Sequence, residues 1–363
     1  MATDVEFTLQ ISGIDDLDAL PPKPALSISP SAFLKKCLEV SLDHLSESLD
    51  EIESIRNDDY RAVMLTSKSG EPFDAEHVSR AVKAIRALER EKHRSVFVIM
   101  SLVHVTNFVG ESFAEQCRIV YSNGIDAILV KAVESSTIVH EIREKGLGLR
   151  GRRVRILLDS IDSFSDAAKA ADGCIVSSSF SPAAAIDALS RQKLVLTRCA
   201  GQSDSLRADM LVCPQEAIST ARTTVPSTPA ESSPTLRSFL FKELLKFASL
   251  STRLIVCISD DGLSASELSV QSRLAAPWRL PPILALSASE STCRFMGCLY
   301  GVVPLQTPSF VSVSAVVANA LAFAQERGFV QSGDQIVIVL QPPAVSASTN
   351  QSCFEGVVQR RIV

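Results

Sequence analysis

The chain has 363 residues, 46% of them apolar, and carries 36 Lys and Arg against 41 Asp and Glu for a formal charge of −5. That length accommodates two or three domains, and a mild acidity without blocks of like charge argues against nucleic acid or an anionic membrane as the principal partner. The 15 Gly are lean against an average usage of about 7%, which disfavours chemistry built on Gly-rich phosphate loops.

In chain order, residues 1–59 read as a helical or irregular extension in which 26–29 offers a possible first barrel strand. The acidic, Leu-spaced stretch 33–55 reads as one amphipathic helix. From residue 60, β-rich runs at 62–66, 96–100, 127–130, 154–158, 174–176, 194–197 and 210–212 alternate with helical patterns at 75–92, 113–122, 136–145, 165–170 and 182–191. Short strands buried on both faces and alternating with helices predict a parallel sheet, and eight in series predict a (β/α)8 TIM-type barrel over 60–219. Residues 220–235 are rich in Ser, Thr and Pro and read as a linker. Residues 236–363 resume the alternation as a second α/β domain with a mostly parallel sheet. Its helices are expected at 236–250, 264–274, 291–299 and 310–326, and its strands at 254–259, 283–287, 302–305, 335–341 and near 354–362.

The opening twenty residues hold five acidic side chains and no Lys or Arg, which predicts no targeting peptide and a cytoplasmic location. No apolar run reaches the ~18–20 residues that span a bilayer. The nine Cys are scattered without a CxxC, so buried, reduced thiols are expected instead of zinc or disulfides.

Several motifs carry little. Gly146, Gly148 and Gly151 spell GxGxxG, but they follow an expected helix and precede a strand, the reverse of the order that brings a pyrophosphate to a helix N-terminus. The five His (His44, His77, His93, His104 and His140) show no metal-ligand or triad spacing. Trp278, the single Trp, reads as a packing anchor in a loop.

The run RGFVQSGDQIVIVL at 327–340 resembles the last helix, turn and strand of pyruvate kinase. RLIVCISDDGLSASEL followed by PPILALSASESTCRFMGCLYGVVPL has the order of that family's effector-binding domain, with Gly262, Ser264 and Ala265 in place. Upstream, AVMLTSKSGEPFDAEHVSRAVKAIRA, NGIDAILVKAVESSTIVHEIREKG, RRVRILLDSIDSF and AADGCIVSSSF resemble the second and the fourth to sixth barrel-strand regions more faintly.

The resemblance implies a lidless relative with a degenerate site. Where the family has a phosphate-gripping Arg and cation-binding Asn and Ser on the second strand, this chain has Met64, Thr66 and Lys68. The Asp-Thr pair of the third strand appears as Ser101 and Leu102. The enolate-steadying Lys of the fifth strand aligns with Ser160, the first metal carboxylate with Asp162, and the second with Phe180. Losing one electrophilic donor costs about 3 kcal/mol of transition-state stabilisation, and a divalent ion prefers one or two carboxylates, so Asp162 alone is a poor cage. Only residues 104–111 stand where the family inserts its lid domain.

Three functional readings follow. The first is a pyruvate-kinase-like pseudoenzyme without a cofactor, acting as a homo-oligomer or in a mixed oligomer with an active pyruvate kinase. The second is a divergent active pyruvate kinase, using Mg and K to move phosphate from phosphoenolpyruvate to ADP through Asp162, Ser160 and Lys68. The third is a metabolite sensor whose C-terminal domain binds through Ser264, Thr349 and Asn350, although Asp260 and Asp261 beside them repel phosphate.

Overall fold

The computed structural model describes residues 36–54, 60–67, 69–92, 95–103, 105, 111–131, 139–140, 142–143, 154–159, 170–176, 194–198, 210–211, 252–259, 261–275, 281–299, 301–307, 313–340 and 357–362. The chain divides into two compact units.

The first unit holds strands β1 (Lys36–Ser41), β2 (Tyr60–Thr66), β3 (Phe97–Ser101), β4 (Ala127–Lys131), β5 (Arg155–Asp159), β6 (Gly173–Val176), β7 (Leu194–Arg198) and β8 (Met210–Leu211). It also holds helices α1 (Leu45–Ser54), α2 (Ala75–Lys92) and α3 (Glu111–Ser122). The eight strands form one sheet in sequential order, and β1 and β8, its two ends, lie beside each other. The sheet therefore curls round as a barrel does, with no hydrogen-bonded ladder joining those ends among the described residues. Pairing is parallel from β1 through β7. The last strand departs from the all-parallel expectation, because β8 runs antiparallel to β7.

The span 33–55, expected as one helix, is corrected to strand β1 followed by α1. The possible strand at 26–29, the linker at 220–235 and the helices expected over 182–191 and 236–250 lie outside the described residues. So does all of the 165–170 helix except Ala170, while 139–140 and 142–143 of the 136–145 helix are described and helical. Between β3 and α3 stand only residues 102–110, which leaves no room for an inserted lid domain.

The pleat sends alternate side chains to opposite faces. Val63, Leu65, Val98, Met100, Ile128, Val130, Ile156 and Leu158 join one core with Val78, Val82 and Ile85 of α2 and Phe113, Cys117 and Val120 of α3. Their neighbours Met64, Thr66, Ile99, Ser101, Leu129, Lys131, Leu157 and Asp159 fall on the inner face of the curled sheet. Helix α2 starts where Asp74 Oδ1 accepts the amides of Glu76 and His77, both at 2.9 Å. The Gln116 amide of α3 clasps Phe73 just ahead of it, through Phe73 N at 3.1 Å and Phe73 O at 3.3 Å.

At the amino ends of the strands one device occurs twice. Asp126, preceding β4, accepts the Val98 amide at 3.0 Å and the Arg86 guanidinium at 2.8 Å through Oδ2. Asp172, preceding β6, accepts the Ile156 amide at 3.0 Å and the Arg143 guanidinium at 2.9 Å through its own Oδ2. Each aspartate also donates its backbone N–H to the carbonyl of the same residue, Val98 or Ile156. A carboxylate thus closes the strand start and, in both places, anchors an arginine from the helical segment that leads into the neighbouring strand.

The second unit has strands β9 (Thr252–Ile258), β10 (Ile283–Ser287), β11 (Val302–Gln306), β12 (Gln335–Leu340) and β13 (Val357–Ile362), with helices α4 (Leu263–Ala275), α5 (Glu290–Gly297) and α6 (Val313–Glu326). The sheet order is β11-β10-β9-β12-β13, parallel except for β13. Pro304, which lacks an N–H, sits in the edge strand β11 as sheet chemistry requires. Leu254, Val256, Ile336 and Ile338 pack with Val316, Val317 and Ala320 of α6 on one face. On the other face Ile255, Cys257, Ala285 and Val337 are equally buried, and α4 lies along β9 and β10.

Candidate functional site

Carboxyl ends of parallel strands are where α/β sheets hold ligands, so each unit offers one edge. In the first unit the inner face near that edge carries Met64, Thr66 and Ser101 among the residues singled out from the sequence. Met64 is apolar and 0% exposed. The Thr66 hydroxyl donates to Val40 O at 3.3 Å. Ser101 is buried, and Leu102 beyond it uses its backbone amide on Leu129 O at 2.6 Å. Lys68, Ser160, Asp162 and Phe180 lie outside the described residues.

Three residues at this edge were missed from sequence. Asp43 is a hub for the loops after β1 and β2. Its carboxylate accepts Ser41 Oγ at 2.9 Å, Ser67 Oγ at 3.2 Å, Ser69 Oγ at 3.1 Å and the Ser69 amide at 3.3 Å. Lone pairs engaged by four donors are committed to holding the loop and not to a metal. Reading 33–55 as a helix concealed this role. Lys131 and Asp159 are direct register partners on β4 and β5 and place a cation beside a buried carboxylate on the inner face. Strand alternation is the signal in the sequence that places both on this face. No cluster of metal-ligating side chains occurs among the described residues.

The second unit's edge is built from the ends of β9, β10 and β11. Ser259 follows β9 and is 0% exposed, and its Oγ has no hydrogen-bond partner among the described residues. Thr307, after β11, is buried in the same state. At β10 the Ser287 hydroxyl accepts the Ser289 amide at 3.1 Å, and Ser289 Oγ accepts that of Thr292 at 3.3 Å, capping α5.

Between β9 and α4, Gly262 adopts φ +77°, and a Cβ there would lie 3.0 Å from Phe295 Cδ1, so conformation and space both demand glycine. Asp261 Oδ1 accepts the Leu263 amide at 2.9 Å at the start of α4. Ser264 is buried in that first turn, whereas Thr349 and Asn350 lie outside the described residues.

The six described cysteines form no disulfide and are all buried. Burial pushes the Cys117 thiol, and chiefly burial the Cys293 thiol, up to about 12. It likewise holds Cys37 well above the ordinary range. Such thiols remain protonated and do not act as nucleophiles near neutral pH.

A curled β/α sheet followed by a second, mostly parallel sheet with helices on both faces defines a two-unit α/β protein. Residues 247–353 match the family described as pyruvate kinase, alpha/beta domain, so this part of the chain is similar to that domain. It is 37% identical over 92 residues to a pyruvate kinase of Eimeria tenella, covering 25% of this chain and 16% of that protein. It is 37% identical over 102 residues to one of Agrobacterium vitis, covering 28% and 20%. A pyruvate kinase of Clostridium acetobutylicum is 29% identical over 90 residues, covering 24% and 19%. The chain thus spans a fifth or less of the length of these relatives.

Proposed function

We propose that this chain is a pyruvate-kinase-like protein that does not transfer phosphate by its relatives' route and acts by association, with copies of itself or with an active pyruvate kinase. The observation that carries the reading is Met64, an apolar side chain fully buried on the inner face of β2 at the place where the resemblance expects a phosphate-gripping arginine. Ser101 at the end of β3 and Leu102 after it supply no carboxylate, and the Asp43 carboxylate is spent on serine hydroxyls and a backbone amide. Phosphoryl transfer depends on cations and positioned charge. The proposal includes a cytoplasmic location and no resident cofactor. No helix among the described residues is long and apolar enough to cross a membrane.

A coupled assay with phosphoenolpyruvate, ADP, magnesium and potassium tests it, with no turnover above a heat-treated control expected. Size-exclusion with light scattering, alone and with an active pyruvate kinase, is expected to give a species larger than one chain. A monomer that ignores the kinase would remove the associative reading.

The second reading, a divergent active enzyme needing magnesium and potassium, gains from Lys131 and Asp159 standing side by side on the inner face. Turnover lost in Asp159→Asn or Lys131→Met would favour it.

A further inference from the structure

We infer that Asn123 and Gly124 form a deamidation site, guarded by the helix end they close, and that its conversion makes a passing opening of the α3–β4 turn permanent. The inference goes beyond the associative reading and rests on no part of it.

Asn123 is the one Asn of the sequence that is followed by Gly. Without a Cβ, Gly lets another group approach its backbone closely, so the Gly124 nitrogen is the one least hindered from reaching an Asn side-chain carbon. Both residues are half-buried at the surface, within reach of water. The reaction needs nothing else. The Gly124 nitrogen, on losing its proton, bonds to Asn123 Cγ, the Cγ–Nδ2 bond breaks, and ammonia departs to leave a cyclic imide. Water then adds to either imide carbonyl as the bond from that carbon to nitrogen breaks. The product is aspartate or, with the backbone routed through the side chain, isoaspartate.

The fold holds both reacting groups off this path. Helix α3 ends in a Schellman motif: Gly124 takes φ +70°, the Ile125 amide donates to Val120 O at 3.1 Å, and the Gly124 amide donates to Tyr121 O at 3.3 Å. Asn123 Nδ2 donates to Ile119 O at 2.9 Å and to Ser122 Oγ at 3.3 Å. The nucleophile's hydrogen and the leaving amide are thus each tied to a carbonyl of the last helical turn. Arg86 locks the turn from outside, because its guanidinium reaches Gly124 O at 3.2 Å while it grips Asp126. Reaction therefore waits on local opening.

After conversion the turn cannot close as before. Aspartate at position 123 offers Ile119 O no side-chain donor, sets a carboxylate against that carbonyl, and adds charge at the negative end of the helix dipole. Isoaspartate also lengthens the backbone just ahead of Gly124 and displaces the carbonyl that Arg86 holds.

The test incubates the full-length chain, folded and in guanidinium chloride, at one alkaline pH and one temperature. Peptide mass spectrometry follows the replacement of NH2 by OH at each Asn. Position 123 should convert first in the unfolded chain and at least ~10-fold more slowly in the folded one. Asn123→Gln should remove that conversion in both. Asn123→Asp installs the product directly and should speed hydrogen exchange of the Gly124 and Ile125 amides in the folded chain about threefold or more. Equal rates in the folded and unfolded chain, earlier conversion at another Asn, no conversion in guanidinium chloride, or unchanged exchange in Asn123→Asp would each overturn the inference.

Discussion

Replacing Asp126 by alanine should open the amino end of the β3–β4 ladder far more than replacing Asp172 opens that of β5–β6, although each aspartate holds one strand amide and one arginine. In Asp126→Ala the buried Val98 amide loses its acceptor at 3.0 Å, a cost of about 1–3 kcal/mol. The Arg86 guanidinium loses its 2.8 Å contact and keeps Glu89 at 3.0 Å and Val96 O at 2.7 Å, which adds about 1.5–3 kcal/mol for a charged bond.

Arg86 is 17% exposed and Asp126 0%, so water cannot compensate, and a total near 3–5 kcal/mol matches the loss of one partner from a buried pair. In Asp172→Ala the Ile156 amide suffers the same loss. Arg143, however, is 35% exposed, so solvent takes over its charge and only about 1–3 kcal/mol is expected.

Hydrogen exchange measured by mass spectrometry on the full chain reads these values as local opening. At about 1.4 kcal/mol per tenfold, the Val98 peptide in Asp126→Ala should exchange more than ~100-fold faster. The Ile156 peptide in Asp172→Ala should accelerate ~10-fold or somewhat more. Equal accelerations, or less than ~10-fold for Asp126→Ala, would refute the idea that exposure of the arginine sets the cost.

Gly173→Ala should destabilise the first unit by about 1–3 kcal/mol or more, because the new Cβ would stand 2.5 Å from Leu194 O, a backbone atom that cannot rotate away; urea unfolding followed by circular dichroism measures it. Gly262→Ala should cost about 1–3 kcal/mol through its φ of +77° and its contact with Phe295, while Gly70→Ala, at φ +75° with open space around it, should cost only the conformational part. For the thiols the sign follows from burial: folded Cys117 and Cys293 ionise only near 12, whereas unfolded thiols ionise near 8.5. Their contribution to stability is complete below about pH 8.5 and falls by about 1.4 kcal/mol per pH unit per thiol up to about 12. Cys117→Ala should flatten the alkaline decline in stability by that slope, and an unchanged decline would show that the thiol is not protected.

Much of the architecture could be read from one strand of information. Runs such as YRAVMLT, FVIMS and AILVK are too short and β-rich for helices, and their alternation with 3.6-residue patterns yields a parallel sheet from local chemistry alone. The glycine turn before α4 is legible through the resemblance that Gly262, Ser264 and Ala265 carry, and its φ of +77° shows why glycine stands there. The stretch containing β1 shows where such reading ends. Leu38, Leu42, Leu45, Leu49 and Ile52 recur at helical spacing, yet Leu38, Val40 and Leu42 equally alternate at strand spacing and are all buried. What decides is the free edge of β2, whose backbone groups need a partner and find one in Lys36–Ser41.

The direction of β8 and the employment of Asp43, Asp126 and Asp172 were likewise hidden, since each depends on groups far along the chain: Asp126 meets an arginine forty positions away and Asp43 a serine 26 away. A sequence specifies which faces are apolar and where the backbone must bend. Which carboxylate finds which donor is settled only when the sheet curls and brings distant loops to one rim.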